Sequence, residues 1–249
     1  MTILVIGGGG REHAVCVAIK KSALCTRLLC APGNGGISEV AECFPEVKAT
    51  DIEGVIALAR REGADFVCVT PDDPLALGMV DALKAAGIKA FGPAKNAAVI
   101  EASKSYSKRL MTKYGIPTAK YAEFTDREAA AAYILEQGAP IVVKADGLAL
   151  GKGVVVAQTA DEAIAFVDEL MLNSKFGTSG ARVVIEECLS GQEFTVLALT
   201  DGKRLLPLPA SQDHKRINDN DEGPNTGGMG AVCPVPWYGA ELAEQCERE

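Results

Sequence analysis

An α/β fold is predicted: a parallel sheet covered on both faces, followed by an α+β block. Three features of the sequence carry this. Apolar runs at residues 3–6 and at Val67-Cys68-Val69 have no polar face, as strands buried on both sides require. Helix-length segments with capping signals stand between such runs. After Gly92-Pro93 the spacing changes, and hairpin-like strands gather on two helices.

The elements follow in order. Residues 3–6 read as a buried strand, 12–21 as a helix and 27–31 as a strand. Thr50-Asp51-Ile52-Glu53 reads as a capping box opening a helix to about residue 61. A strand at 65–70, a helix at 75–86 and a strand at 89–91 complete the first unit. Residues 94–114 read as one lysine-rich helix bridging two domains, ended by Gly115-Ile116-Pro117. A strand at 120–124 follows, then a capping box at Thr125-Asp126-Arg127-Glu128 with a helix to about 137. Strands at 140–145 and 153–157 flank a glycine-rich loop, and Thr159-Ala160-Asp161-Glu162 caps a helix to about 172. Strands are expected at 182–186, 193–200 and 204–207. Residues 211–230 form a polar Gly- and Asn-rich stretch, too long for a routine connection and so functional or disordered. A helix restarts at Trp237.

Composition narrows the classes. Of 249 residues, 48% are hydrophobic and 23% charged, as in an ordinary globular protein. No apolar run approaches the ~20 residues that span a bilayer, and residues 1–6 lack a secretory pattern. The net charge of -8 argues against nucleic acid or an anionic membrane as partner. None of the eight cysteines forms a C-x-x-C pair, and reduced core thiols in a cytoplasmic protein are the reading. Two histidines, His13 and His214, give no basis for a histidine metal site.

Four motifs carry chemistry. Gly7-Gly8-Gly9-Gly10-Arg11 joins a strand to a helix. It lacks the third glycine of the dinucleotide fingerprint, with Glu12 and His13 in its place, which disfavours NAD. Backbone N–H groups and Arg11 suit a small phosphorylated ligand, or the turn serves packing alone. Lys144-Ala145-Asp146-Gly147-Leu148-Ala149-Leu150-Gly151-Lys152-Gly153 is no Walker loop, since three residues rather than four separate Gly147 and Gly151. Lys144 ends a strand beside apolar residues and would be expensive to bury without an anion. The loop covers a polyphosphate, or it is a flexible hairpin with solvated lysines. Glu186-Glu187-Cys188-Leu189, with Glu193 beyond, suits an adenine edge and ribose hydroxyls, or is a surface acidic turn. Asp213-His214-Lys215-Arg216 and Gly223-Pro224-Asn225-Thr226-Gly227-Gly228-Met229-Gly230 suit clamping of phosphate or carboxylate, or are a solvated loop. A calcium loop at 219–230 fails, because Gly230 stands where a bidentate Glu is needed.

Together these motifs, in this order and over essentially the whole chain, resemble the phosphoribosylamine–glycine ligases of the ATP-grasp superfamily. The resemblance implies a Rossmann-like N-terminal domain at 1–101 and an ATP-grasp domain from 102 to 249, with a nucleotide-lid subdomain at about 120–190. It implies ATP, with Mg2+ or Mn2+, and a ligation of glycine to 5-phosphoribosylamine through a glycyl phosphate, early in purine synthesis. By position, Lys104 and Lys144 meet the inner phosphates, with Asp146, Gly147, Gly151, Lys152 and Gly153 in the covering loop. Glu186, Glu187, Cys188 and Leu189 meet adenine, and Glu193 the ribose. Lys215, Arg216 and Asn225 are assigned to catalysis. Asp213, His214, Thr226, Gly227, Gly228 and Met229 are assigned to the acceptor side. Gly8, Gly9, Gly10 and Arg11 face the ribose phosphate. Asp72, in Thr70-Pro71-Asp72-Asp73-Pro74-Leu75, stands where the family commonly has Glu.

The resemblance also implies a longer protein. The family continues past the counterpart of Glu249, and its metal-binding acid and asparagine lie in that part, so the metal ligands stay unassigned. The expectation is an ATP-grasp domain incomplete as given, in a cytoplasmic monomer. An ATP-grasp ligase with another acceptor, or a nucleotide-binding piece without turnover, are the alternatives.

Overall fold

The computed structural model describes residues 1–149, 153–173 and 177–248, and for 177, 178, 221, 224 and 225 the backbone alone. In the first unit, β1 (Thr2–Gly7), α1 (Gly10–Lys20), β2 (Arg27–Pro32), β3 (Glu42–Cys43), α2 (Ile52–Arg61), β4 (Phe66–Val69), α3 (Asp72–Leu77), α4 (Met79–Ala85) and β5 (Ala90–Phe91) follow one another. Their strands form a parallel sheet of order β3-β2-β1-β4-β5. Alternate residues of β1 serve its two faces. Leu4 and Ile6 join Val55, Leu58, Met79 and Leu83 from α2 and α4. Val5 joins Cys16 of α1, Cys30, Ile37 and Cys68. Both faces are therefore dry, which is why the strands read as unbroken apolar runs. Burial pushes the Cys68 thiol up to about 11, so it stays protonated.

Two expected helices are each divided. The 75–86 segment breaks at Gly78, whose φ of 95° ends α3 and starts α4. The 94–114 segment breaks at Ser103 into α5 (Lys95–Ala102) and α6 (Lys104–Tyr114). Ser103 is extended, and its Oγ accepts the Tyr106 N–H at 3.2 Å as the cap of α6. Two capping positions also shift by one residue. Asp51, not Thr50, caps α2, and Asp126, not Thr125, caps the helix at Arg127–Gln137. In both cases the carboxylate is the stronger acceptor.

The second unit is a four-stranded antiparallel sheet of order β6-β9-β7-β8. It is built from β6 (Tyr121–Phe124), α7 (Arg127–Gln137), β7 (Ile141–Ala145), β8 (Val154–Ala157), α8 (Ala160–Met171) and β9 (Val183–Glu187). Ile141, Val143, Ala145, Val183 and Ile185 pack against Ile134 of α7 and Val167 and Leu170 of α8. The intervening residues of β7 and β9, including Lys144 and Glu186, therefore take the opposite face.

Short elements follow: β10 (Ala198–Thr200), β11 (Leu205–Pro207), β12 (Gln212–Asp213), β13 (Arg216–Asn218), β14 (Glu222–Asn225), β15 (Ala231–Val232) and α9 (Ala240–Arg248). The expected 193–200 strand is confined to β10. The 211–230 stretch is not structureless, since β12 pairs with β15 and β13 with β14. Its polar residues give no apolar alternation from which such pairing is read. Among the described residues, no helix is long and apolar enough to cross a membrane.

Candidate functional site

The free face of the second sheet collects charge. Antiparallel register sets Val142 opposite Glu186 and Lys144 opposite Val184, so Lys144 and Glu186 are diagonal neighbours on one face. Lys144 Nζ donates to Glu186 Oε2 at 2.9 Å. From α6, Lys108 Nζ reaches the same oxygen at 3.1 Å. The anion required beside Lys144 is thus supplied by the protein, and Glu186 is only 6% exposed. Lys108 also donates to Thr118 Oγ1 at 2.8 Å and to the Ala119 carbonyl at 3.2 Å. Lys144 meets no other acceptor among the described residues.

Lys104 joins them. It lies one helical turn before Lys108 on α6, so both face the sheet. Its Nζ donates to the Gly147 carbonyl at 3.0 Å. Its ammonium is held below the usual lysine range by burial, with a further push from Lys144 against the pull of Glu101 and Asp146. Two ammonium groups, those of Lys108 and Lys144, therefore share one buried carboxylate oxygen, and the Lys104 ammonium stands at the neighbouring Gly147 carbonyl.

Asp146 does a different job. Its carboxylate accepts the Ser105 N–H at 2.7 Å, the Ser105 hydroxyl at 3.0 Å and the Ser103 hydroxyl at 3.2 Å. It thereby closes the N-terminus of α6 from another chain segment, while the Asp146 carbonyl accepts the Lys104 N–H at 3.0 Å. This latch fixes Lys104 beside the end of β7. The glycines flanking the loop are close-packed. A Cβ on Gly147 would stand 2.5 Å from Ser179 Oγ, and one on Gly153 2.7 Å from the Ala149 Cβ. Gly151 and Lys152 lie outside the described residues.

Beyond Glu186 the predicted residues diverge. Glu187 Oε1 accepts the Lys120 N–H at 2.8 Å and so closes the sheet edge. Cys188 is half-buried and Leu189 is exposed. Glu193 pairs with Lys215, bringing the expected ribose and transfer residues together. Arg216 Nη1 donates to the Gly223 carbonyl at 3.0 Å and braces the β13–β14 hairpin. The Lys215 carbonyl accepts the Thr226 hydroxyl at 2.8 Å, and that hydroxyl accepts the Gly228 N–H at 3.0 Å. His214 and Met229 are joined through their backbones at 2.7 Å, with exposed side chains. Asp213 Oδ1 stands beside Gly228, next to exposed Gly227. The Asn225 side chain lies outside what is described.

The first sheet holds a separate cluster. Its strand order reverses between β1 and β4, where doubly wound sheets bind ligands. The 7–10 turn sits there. Glu12, 5% exposed, accepts the Gly9 N–H at 2.7 Å and meets the Thr70 hydroxyl at 3.0 Å. Asn34 donates to the Gly8 carbonyl at 2.8 Å, and Gly10 opens α1. Arg11 reaches Asp72 at 3.9 Å across the same edge, with both side chains open to solvent.

Sequence reading missed Lys108, Ser103, Ser105 and Glu12. The four-residue spacing of Lys104 and Lys108 was the available signal for the first. The serines act through Asp146, distant in sequence, and Glu12 meets Thr70 as well as the nearby Gly9 N–H; spacing does not show the distant contacts.

Residues 102–249 match the family described as phosphoribosylglycinamide synthetase, ATP-grasp (A) domain, and residues 1–101 match its N domain. A phosphoribosylamine–glycine ligase of Rhizobium meliloti is 51% identical over 249 residues, covering 100% of this chain and 58% of that protein. One from Xanthomonas campestris is 50% identical over 250 residues, with the same coverage. The crystal structure of the Thermotoga maritima phosphoribosylamine–glycine ligase superposes with a TM-score of 0.82 at 30% identity, covering 100% of this chain and 59% of that one. An N5-carboxyaminoimidazole ribonucleotide synthetase solved as an ADP complex shares the fold, with a TM-score of 0.68 at 18% identity, covering 99% and 60%. The chain thus spans less than two thirds of the relatives it matches. It belongs to the phosphoribosylglycinamide synthetase family, of which it carries the N domain and the ATP-grasp domain match.

Proposed function

We propose that this chain forms the nucleotide-binding and acceptor-binding part of an ATP-dependent ligase joining glycine to 5-phosphoribosylamine. The observation that carries the reading is the partly exposed ammonium of Lys144, held only by Glu186 among the described residues, beside the buried ammonium of Lys104. Neighbouring ammonium groups, one of them still open to solvent, favour a polyanion. The relatives' names supply the substrates.

In this reading the domains divide after about residue 101, and the 120–190 unit covers the nucleotide. Lys104 and Lys144 bind the inner phosphates of ATP, with the Asp146 latch positioning Lys104. The 146–153 loop, Gly151 and Lys152 included, covers the phosphates. Residues 186–189 meet adenine and Glu193 the ribose. The glycine carboxylate takes the terminal phosphoryl group of ATP, leaving ADP. The amine of 5-phosphoribosylamine then attacks the acyl carbon, loses a proton and expels phosphate. Such transfers depend on cations and positioning more than on a protein nucleophile. Lys215, Arg216 and Asn225 stabilise charge during transfer. Asp213, His214 and residues 226–229 line the acceptor side. Gly8, Gly9, Gly10, Arg11 and Asp72 take the phosphorylated acceptor at the first sheet's switch point. Among the described residues, no three His, Cys, Asp or Glu side chains stand together as a metal site, so no ligand is assigned to Mg2+ or Mn2+ and no step is drawn through it.

Calorimetric titration with ATP tests the reading. Lys144→Ala should weaken ATP by roughly tenfold or more, the worth of a charge-assisted bond. Unchanged affinity removes Lys144 from the site. Product formation tested with glycine and with other amino acids, and with phosphoribosylamine and other amines, tests the specificity; equal use of other pairs defeats the narrower assignment.

A further inference from the structure

Lys108 is not among the residues that the proposed binding mode uses, yet it is the most deeply placed cation of the site. Its side chain is 8% exposed, and Glu186, Thr118 and the Ala119 carbonyl give its three N–H donors three acceptors. The ring of Tyr121 lies 5.4 Å away. Nothing about this group is left open for a ligand. Lys144 differs: it is 27% exposed and shares only Glu186. The two lysines therefore have opposite characters around one oxygen atom.

This difference has a consequence for charge. Glu186 is nearly inaccessible, and a carboxylate there needs a counter-ion at all times. If Lys144 were its sole partner, moving Lys144 onto a phosphate would leave a buried charge alone. With Lys108 fixed on the same oxygen, Lys144 can leave and the carboxylate stays paired. We infer that Lys108 is a positioning residue: it compensates Glu186 permanently and so releases Lys144 to bind the phosphates of a nucleotide. The inference rests on the nucleotide reading above.

The test separates the phosphate contribution from the rest. Affinities for ATP and for adenosine are measured by calorimetry, and their ratio reports the phosphate part. Lys108→Met should lower the ratio by roughly tenfold, because Lys144 is then tied to an otherwise unpaired buried carboxylate. Lys108→Arg should restore most of it. Adding Glu186→Gln to Lys108→Met should restore it too, since the tether on Lys144 is gone. A merely structural lysine would lower ATP and adenosine affinity together, and the double variant would be the worst of the set. An unchanged ratio in folded Lys108→Met overturns the inference while the nucleotide reading stands. A wild-type chain that binds neither ligand overturns both. If Lys108→Met does not fold, the wild-type chain crystallised with ADP decides the matter. Lys108 on Glu186 with Lys144 on phosphate is the expected result; Lys144 still on Glu186 overturns it.

Discussion

Residues up to Glu187 and the residues after it are built on different principles. In the first part, apolar clusters cover both faces of the first sheet and one face of the second. In the second, only Ala210 and Val235 are buried among the described residues, and Leu205 and Leu206 are each 61% exposed. What holds the second part is short-strand pairing and one aromatic group, Phe194 with Trp237 and Tyr238 at ring distances of 5.4 and 5.1 Å. The difference teaches where precision comes from. Lys104, Lys144 and Glu186 stand on elements that a core fixes. Lys215, Arg216 and residues 226–229 stand on short-strand pairing and local side-chain bonds, with no apolar cluster beneath them among the described residues.

The largest effect expected from this contrast is at Ile185. It is fully buried between α7 and α8 and adjoins Glu186 on β9. Ile185→Ala should cost about 2–5 kcal/mol, the range for emptying a packed aliphatic site. Urea unfolding of wild type and variant measures it. A loss below about 0.5 kcal/mol, the level of an ordinary surface change, would break the contrast at once.

A smaller effect is expected at Asp168, which ties the two helices beneath the same sheet. Arg127 Nε donates to Oδ1 at 2.6 Å and Nη2 to Oδ2 at 3.0 Å. The bidentate Arg127 holds the Asp168 carboxyl below the usual carboxylate range. A folded value under the unfolded one, about 3.9 for aspartate, means stability that is present above that value and lost as pH falls through the folded one. Both side chains are partly open to water, so the contribution is discounted by screening. Asp168→Asn should therefore melt below wild type at neutral pH, and the two should converge in strong acid. A gap that persists unchanged into strong acid would point to shape rather than charge.

The same contrast explains what the sequence made legible. Most strands of both sheets were readable because they are apolar runs, β3 (Glu42–Cys43) being the one not expected, and the second unit's helices because Asp126 and Thr159 lie at or next to the predicted caps. The breaks at Gly78 and Ser103 were not, because neither interrupts the helical pattern of its neighbours. The three strands inside 211–230, and β15 just after it, were hidden for a physical reason: their pairing is backbone hydrogen bonding, which leaves no trace in side-chain polarity. Of the site, the lysines of the 144–153 loop and the 186–193 carboxylates were visible as charges in apolar or glycine-rich surroundings. Their partners were less so. Nothing near Asp146 in sequence shows that Ser103 and Ser105 take its carboxylate, because that contact spans 41 to 43 residues.

The smallest effect is expected at Leu206, and it sharpens the comparison most. Leucine in β11 would ordinarily mark a core position, and from sequence alone Leu206 and Ile185 look alike. Here Leu206 lies opposite Leu199 in a two-stranded ladder, and both side chains face water. Removing apolar area that is already solvated releases little free energy on folding. Leu206→Ser should thus change stability by no more than about 0.5 kcal/mol, while leaving ATP affinity as in wild type. Urea unfolding and calorimetry on the same sample check both halves. Stability lost on the scale of Ile185→Ala would mean that β10 and β11 belong to a cooperative core, and the boundary drawn after Glu187 would have to move.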